Sequence, residues 1–342
     1  MKGVRLAYFD ALKLFAIYLV IWGHCINWYY LGHGEYDVIY RIIYSFHMPL
    51  FMMISGYFSY SSIILPARSF FKKKFRTLIY PCISWGLILW IIVEPTHSFH
   101  YGHDHFSFLG LVEDFYWLSD FWFLKSCFLC YCLLYFGAHS GIDKKIWIPI
   151  SLIFCQGCSP FYFSFMYPCF LIGWLIKDNE EFATELNKHT FVLLILLGIM
   201  LLFWDLNAWQ KSHGLPSNIF ENGMITIIET GGFRLFRLLI GFIGSLSVIS
   251  IFKYLFKRKH QSISFFCSKW GAYTLETYIF QSIIIERILH RYINISNSLY
   301  YPSLVLPIIS FLILSLCIYI TMLLQRSQFL SRLLWGRPTI IN

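Results

Sequence analysis

The chain has 342 residues, of which 58% are hydrophobic and only 13% are charged, and its formal net charge is +9. Soluble globular domains carry about 25% charged residues, so this composition excludes a soluble domain of such a length. Apolar runs of about 18 residues or more recur along the chain, and each is long enough to span a bilayer core. Because these runs are continuous rather than alternating, the sequence predicts an all-α, polytopic membrane protein rather than a barrel.

Ten apolar segments are predicted to form transmembrane helices. In chain order their approximate ranges are 12–31, 40–60, 75–94, 115–137, 145–159, 161–177, 190–205, 233–256, 269–290 and 301–325. The fifth and sixth are short, and the turn-forming sequence QGCSP (156–160) separates them. We expect a single transmembrane domain over residues 1–342, with no cleavable signal peptide and no appended soluble domain.

The positions of the basic residues predict the orientation of these spans. Of the 27 lysines and arginines, 19 fall on the side that holds both termini, and only Arg41, Lys211, Arg287 and Arg291 fall on the other side. Cytoplasmic loops carry the excess of basic residues, so both termini are predicted to be cytoplasmic. This asymmetry accounts for the positive net charge, and we therefore expect no nucleic-acid partner.

The stretch DALKLFAIYLVIWGHC (10–25) leads into the first predicted span and makes up most of it, and it places ionisable groups in an apolar segment. Asp10 lies three residues before Lys13, and His24 lies close to three helical turns after Lys13, so all three share one face. An ionisable group within a span is costly and marks a candidate functional site. Two simpler interpretations stay open: Lys13 extends to the interface and pairs with Asp10, or His24 makes only an interhelical hydrogen bond.

Polar side chains of three predicted spans fall at nearly the same depth. At 1.5 Å per residue, His24, His47 and Gln281 all lie about 18–19 Å from the cytoplasmic boundary. Arg234 and Arg237 enter from the opposite side, just above that level. These positions predict a shared polar cavity in the outer half of the membrane.

A second group of basic residues is predicted at the cytoplasmic boundary. Lys13 lies about 16 Å below His24, so the two side chains cannot touch. Lys13 is expected to share a basic rim with Lys73 and Arg76, although the run FKKKFR (71–76) also serves as a topology signal. Lys125 is predicted near the middle of the bilayer.

Five motifs in the same order resemble a known family. They are FDALKLFAIYLVIWGHC (9–25), FHMPLFMMISGYF (46–58), FRTLIYP (75–81), FWFLKSCFLCYCLLY (121–135) and GAYTLETYIFQ (271–281). Together they resemble the membrane acyltransferase-3 family of bacterial O-acyltransferases over nearly the whole chain. The family usually has arginine where this chain has Lys13, often histidine where it has Gln281, and commonly a small residue where it has Glu276.

The resemblance implies an enzyme that moves an acyl group, most often acetyl, from cytoplasmic acyl-CoA to a sugar hydroxyl. The implied acceptor is a cell-surface polysaccharide or its lipid-linked precursor, and the implied location is the bacterial cytoplasmic (inner) membrane. Acyl-CoA, such as acetyl-CoA, would be a co-substrate. We expect no bound cofactor and no metal, and the expected partners are acyl-CoA, the glycan acceptor and the lipid bilayer.

Acyl transfer to a hydroxyl needs a base, a group that stabilises the oxyanion, and contacts that hold both substrates. His24 is the candidate general base, and an acyl-His24 intermediate is the rival role. His47 would orient His24 or donate to the thioester carbonyl. Lys13, Lys73 and Arg76 would bind the phosphates of coenzyme A.

The remaining candidates are weaker. Trp122, Lys125, Arg234, Arg237 and Gln281 are predicted to line the cavity on the acceptor side, and Asp10 supports Lys13. Arg234 and Arg237 have an alternative structural role, in which they pair with Glu229 or Glu276.

Three alternatives remain open at this point. Buried histidines and basic residues also mark the pathway of a transporter or flippase, although the chain shows no internal repeat of the kind that many transporters contain. The segment HSFHYGHDH (97–105) contains metal-ligand residue types without the spacing of a known site. Cys155 and Cys158 flank a turn on the predicted outer side and would form a disulfide only in an oxidising compartment.

Overall fold

The structure is a computed structural model that describes residues 7–30, 34–101, 121–157, 160–179, 189–213, 219–256, 261–289 and 301–336. All regular secondary structure within these ranges is helical, and no strand occurs in them. The predicted all-α fold class is therefore confirmed over the described part of the chain.

Fourteen α-helices of eight residues or more can be numbered in chain order along the described ranges. They are α1 Ala7–Tyr29, α2 Val38–Ile63, α3 Ala67–Lys74, α4 Tyr80–Tyr101, α5 Trp122–His139, α6 Lys144–Gly157, α7 Phe163–Asp178, α8 Thr190–Leu202, α9 Leu206–His213, α10 Ile219–Leu255, α11 Gln261–Trp270, α12 Thr274–Ser282, α13 Leu306–Leu324 and α14 Gln328–Trp335. Short 3₁₀ turns lie at Gly34–Tyr36, Pro160–Tyr162 and Gly271–Tyr273. Segments of π-helix lie at Phe75–Ile79, Ile283–Ile288 and Tyr301–Val305.

Each of the ten predicted spans overlaps helix among the described residues, but fewer helices meet the length and apolarity of a full span. Among the described residues, four do so, namely Tyr8–Tyr29, Val38–Ile63, Gly231–Leu255 and Tyr301–Leu324. A fifth span results if α8 and α9, which meet at a bend of 93°, are taken together. Ten full spans are therefore not shown by the described residues. Helix α6 has 14 residues and α7 has 16, short of the roughly 20 that a bilayer core requires.

The chain divides into two compact units, which are described separately. The first comprises Met1–Tyr57 and Ile172–Tyr319, and the second comprises Phe58–Leu171 and Ile320–Asn342. In the first unit α1 packs against α10, α11 and α12, while α8 and α9 pack against α10. In the second unit α5 packs against α6 and the first π segment, and α14 packs against α4.

Helix α2 is contacted closely by three other helices of the first unit, each through a glycine. A Cβ atom on Gly23 of α1 would lie 2.5 Å from the Tyr44 ring, and one on Gly244 of α10 would lie 2.7 Å from Cβ of Phe46. Gly173 of α7 faces the backbone of α2 at Met53. Small residues at helix interfaces let membrane helices approach closely, so these glycines fix α2 and its histidine among their neighbours.

The close approach at Gly173 gives a testable prediction about stability. We expect Gly173→Ala to lower the unfolding temperature of the detergent-solubilised protein by several degrees, because a Cβ would lie 2.7 Å from the Met53 carbonyl carbon and backbone cannot rotate away. Overpacking of this kind costs about 1–3 kcal/mol. The matched control is Gly198→Ala in α8, where a Cβ meets nothing described within 4 Å and alanine favours the helix by up to about 1 kcal/mol. Equal effects of the two substitutions on the unfolding temperature would contradict this packing.

Candidate functional site

The three ionisable residues of α1 are held in two different environments. The Lys13 Nζ lies 3.0 Å from the Asp10 Oδ1, with the lysine side chain 28% exposed and the aspartate side chain 4% exposed. The ion pair expected from their spacing is therefore formed. Asp10 is fixed further because Gly271 packs against its backbone carbonyl. His24 lies three turns along the same helix and pairs with a different acid.

His24 lies within hydrogen-bond distance of Glu286 in the second π segment. The His24 Nδ1 lies 2.8 Å from the Glu286 Oε1, and the two side chains are 25% and 18% exposed. A carboxylate oxygen can only accept a hydrogen bond, so Nδ1 of a neutral His24 carries the proton and Nε2 keeps its lone pair. Glu286 therefore orients His24 as an acid orients a catalytic base. The Nε2 atom, on the side of the ring away from Glu286, can accept a proton.

The end of α1 that carries His24 is fixed against the last helices of the first unit. Three side chains of α1 donate hydrogen bonds to backbone carbonyls there: Tyr18 to Pro307 at 3.2 Å, Trp22 to Pro302 at 2.9 Å, and Tyr29 to Ile285 at 3.0 Å. The Tyr29 bond ends one residue before Glu286. These bonds determine which acid His24 meets.

His47 is buried within α2, with 2% of its surface exposed. Its Nδ1 lies 2.7 Å from the Ile43 carbonyl oxygen, which can only accept, so Nε2 is again the nitrogen with the lone pair. The Tyr44 ring contacts the His47 ring edge-on, with centroids 4.6 Å apart, and contacts α1 beside His24 at Gly23. Tyr44 thus contacts both the His47 ring and the turn of α1 that carries His24, so the two predicted histidines lie near each other in the first unit.

Two further predicted residues lie on α10 in the same unit. The Arg237 guanidinium lies 5.7 Å from the centre of the Trp209 ring, a distance at which the cation is attracted to the face of the ring. Arg234 precedes it by three residues and is half-buried. The side chain of Glu229, one of the two proposed partners for these arginines, is not described.

Helix α12 contributes buried polar side chains to the first unit. Glu276 is fully buried and Gln281 is 1% exposed. The Oε1 atom of Gln281 has no hydrogen-bond partner among the described residues. A buried amide oxygen without a partner is costly, so Gln281 is a position where a hydroxyl or a water would bind favourably.

Four of the predicted residues belong to the second unit. Lys73 is exposed on α3, and the Arg76 Nε donates to the carbonyl oxygen of Gly336. Trp122 contacts the Tyr162 ring with centroids 4.9 Å apart, and the Lys125 Nζ lies 4.9 Å from the centre of the Phe161 ring. Since Lys13 lies in the first unit, the rim predicted for Lys13, Lys73 and Arg76 stays a prediction, as does the acceptor-side role of Trp122 and Lys125.

The sequence analysis missed Glu286, although a signal for it was present. Glu286 is a carboxylate inside the ninth predicted span, and an ionisable group in a span marks a candidate site. Counting residues as one regular helix aligned His24 with Gln281 instead. The segment is in fact divided by the turn at Gly271–Tyr273 and the π-helix at Ile283–Ile288, and π-helical turns occur often at functional sites.

The remaining sequence predictions fall partly outside the described ranges. Within those ranges no three histidine, cysteine or acidic side chains are grouped as metal ligands would be. Residues 102–105 of the histidine-rich segment and Cys158 lie outside them, and the side chains of residues 97–101 are not described, so the metal and disulfide alternatives stay untested.

Comparison with known proteins identifies the family. The model of the acyltransferase domain family, acyltransferase-3, matches residues 6–323. Nodulation protein NolL of Mesorhizobium japonicum is 25% identical over 229 residues, which cover 62% of this chain and 58% of that protein. Nodulation protein NolL of Sinorhizobium fredii is 26% identical over 198 residues, which cover 54% of this chain and 53% of that protein.

The two relatives are matched over only part of their length. The chain spans little more than half the length of either of these two relatives, and no solved structure matches it significantly. The family model nevertheless covers nearly the whole chain. The resemblance read from the five motifs is thereby confirmed, and the chain belongs to the acyltransferase-3 family of membrane acyltransferases.

Proposed function

We propose that this protein is an integral membrane O-acyltransferase that moves an acyl group, in the first instance acetyl, from cytoplasmic acyl-CoA to a sugar hydroxyl. The proposed acceptor is a cell-surface polysaccharide or its lipid-linked precursor. The observation that carries the proposal is the 2.8 Å pair between His24 and Glu286 in a chain of an acyltransferase family. It supplies an oriented base, which acyl transfer to a hydroxyl needs.

In the proposed reaction, His24 is the general base. Its Nε2 takes the proton of the sugar hydroxyl as the oxygen attacks the thioester carbonyl carbon. The carbon–sulfur bond then breaks, and the imidazolium returns the proton to the departing thiolate. The products are the O-acyl sugar and free coenzyme A. The Glu286 carboxylate holds the tautomer with Nδ1 protonated and stabilises the imidazolium while it exists.

Other residues of the first unit would assist this step. His47 is buried, and Tyr44 contacts both its ring and α1 beside His24, which supports a role in positioning rather than in direct proton transfer. Arg237 would stabilise the negative charge that develops on the carbonyl oxygen. Gln281, whose Oε1 has no described partner, would accept a hydrogen bond from the acceptor sugar.

The finer membrane arrangement belongs to the same proposal. We infer ten spans, both termini in the cytoplasm and a location in the bacterial inner membrane, from the apolar segments and the distribution of basic residues. Lys13, Lys73 and Arg76 remain the candidates for binding the coenzyme A phosphates. Trp122, Lys125 and Arg234 remain candidates for lining the acceptor side.

The proposal can be tested by following the acyl group itself. The purified protein in liposomes would be given acetyl-CoA labelled in the acetyl group, together with a crude cell-envelope glycan extract. We expect label to appear in the glycan fraction as an alkali-labile ester, with none on the denatured protein. Label trapped on the protein without acceptor would replace the general base with an acyl-His24 intermediate. Label that appears only in lipid or in protein substrates would overturn the proposed acceptor.

A further inference from the structure

The second unit contains a basic cleft, and the proposed reaction uses only one of its residues, Arg76. The cleft has a volume of about 600 Å³ and opens between α3, the π segment that follows it, and the end of α14. Three cations line it, namely Lys72, Arg76 and Arg332, and all three are exposed. Among the described lining residues none is acidic, so the cleft attracts an anion.

The position of α14 is fixed, so the cleft exists before any ligand arrives. Ser84 of α4 donates to the Leu333 carbonyl at 2.8 Å, and Trp335 is fully buried with its ring 6.1 Å from the ring of Trp85. Gly336 ends the helix in the left-handed conformation, at φ 63°, and its carbonyl accepts from Arg76. Preformed sites bind more tightly because less order is lost on binding.

The cations of the cleft match the chemistry of a phosphate group. A guanidinium presents several donors in a planar fork that fits phosphate oxygens, and an ammonium adds a compact positive charge. The neighbouring Lys74 does not share this role, because it is buried with its Nζ 3.3 Å from the centre of the Tyr131 ring. The anion would therefore meet Lys72, Arg76 and Arg332.

The surroundings of the cleft are apolar, which narrows the choice of ligand. Phe75 lines the cleft and is 46% exposed. On α14, Phe329 is 72% exposed and Leu333 is 46% exposed, and they lie one turn before and one residue after Arg332. A small hydrated anion would leave these side chains in water. A ligand with a phosphate and attached hydrocarbon chains would satisfy both the cations and the apolar rim.

We propose that this cleft binds the phosphate headgroup of an anionic phospholipid, with the acyl chains lying against Phe75, Phe329 and Leu333. In the proposed orientation this lipid belongs to the cytoplasmic leaflet, where basic pockets bind anionic headgroups. Lys72 and Arg332 have no part in the proposed acyl transfer, so the site goes beyond it. Arg332 also lies past residue 323, where the match to the family ends.

The test compares lipid headgroups on the detergent-solubilised full chain. Binding of fluorescent phosphatidylglycerol is measured in mixed micelles beside fluorescent phosphatidylcholine. We expect the wild-type protein to prefer phosphatidylglycerol. Because each basic residue near a membrane surface contributes appreciably to binding anionic lipid, Lys72→Gln/Arg332→Gln should weaken phosphatidylglycerol binding by about tenfold or more. Binding of phosphatidylcholine should not change.

Two control variants make the result specific. Lys145→Gln/Arg326→Gln removes the same two residue types from exposed positions of the same unit that do not line the cleft, and it should keep the preference. Lys72→Arg/Arg332→Lys retains both charges and should also keep it. The proposal is overturned if the glutamine variant of the cleft binds phosphatidylglycerol as the wild type does, or if the control pair loses binding equally. Displacement of the lipid by coenzyme A would assign the cleft to the acyl donor instead.

Discussion

His24→Ala is expected to lower the rate of acyl transfer by at least about a hundredfold, since positioned general bases contribute on the order of 10²–10⁴. The physical reason is the loss of Nε2, the nitrogen that the pair with Glu286 leaves ready to accept a proton. The Michaelis constant for acetyl-CoA should change little, because in the proposed mechanism His24 acts on the acceptor hydroxyl. The measurement is initial rates of acetyl transfer in liposomes.

The control for this variant is His139→Ala. His139 lies in the second unit, is exposed, and has its Nδ1 3.0 Å from the Tyr135 carbonyl oxygen, so a histidine is removed without touching the proposed base. Its transfer rate should match that of the wild type. Both variants should unfold near the wild-type temperature, which separates catalysis from folding. A His24→Ala protein that still transfers at a wild-type rate would remove His24 from the mechanism.

Glu286→Gln should have the second-largest effect. The amide keeps the size of the side chain and can still accept from Nδ1, but it loses the negative charge that stabilises the imidazolium. Replacing the acid that orients a catalytic histidine commonly lowers the turnover number on the order of 100-fold or more. We expect a fall of this size in the turnover number, with the Michaelis constant for acetyl-CoA within about twofold of the wild-type value.

Two further variants separate charge from structure. Glu286→Asp keeps the charge on a shorter side chain and should retain more activity than Glu286→Gln. Glu35→Gln removes an acid of the first unit whose backbone carbonyl, rather than its side chain, accepts from Arg41 at 2.7 Å, and it should transfer normally. If Glu286→Gln is as active as the wild type, the contact between His24 and Glu286 is structural and the proposed orientation of His24 is wrong.

Much of the helical framework could be predicted from the sequence. Continuous apolar runs and the low charge content required helices, and each of the ten predicted spans overlaps a helical segment among the described residues. The number of full spans could not be predicted in the same way. Hydropathy does not show where a helix is interrupted, as at the 93° bend between α8 and α9 or at the π segments. These breaks depend on how the helices pack against one another, and the hydropathy of a single segment does not reveal that packing.

The candidate site was predictable only where its residues belong to one regular helix. The regular periodicity of one helix sufficed to place Asp10 beside Lys13 and both away from His24. The partner of His24 depends on how α1 packs against a segment some 260 residues later, through hydrogen bonds such as that from Tyr29 to Ile285. The 3₁₀ turn and the π segment of the ninth predicted span make residue counting an unreliable guide to the depth of Glu286 in the membrane. Only the structure therefore identifies this acid as the partner of His24.

The measurement that tests the central claim most directly is the release of free thiol from acetyl-CoA by the purified protein in lipid. A cell-envelope glycan extract would serve as acceptor, and His24→Ala would be assayed beside the wild type. A membrane O-acyltransferase that uses His24 should release thiol only when the extract is present, and the variant should release almost none. No thiol release by a folded wild-type protein, across several acyl-CoAs and extracts, would contradict the account and favour a transport role for the buried polar groups.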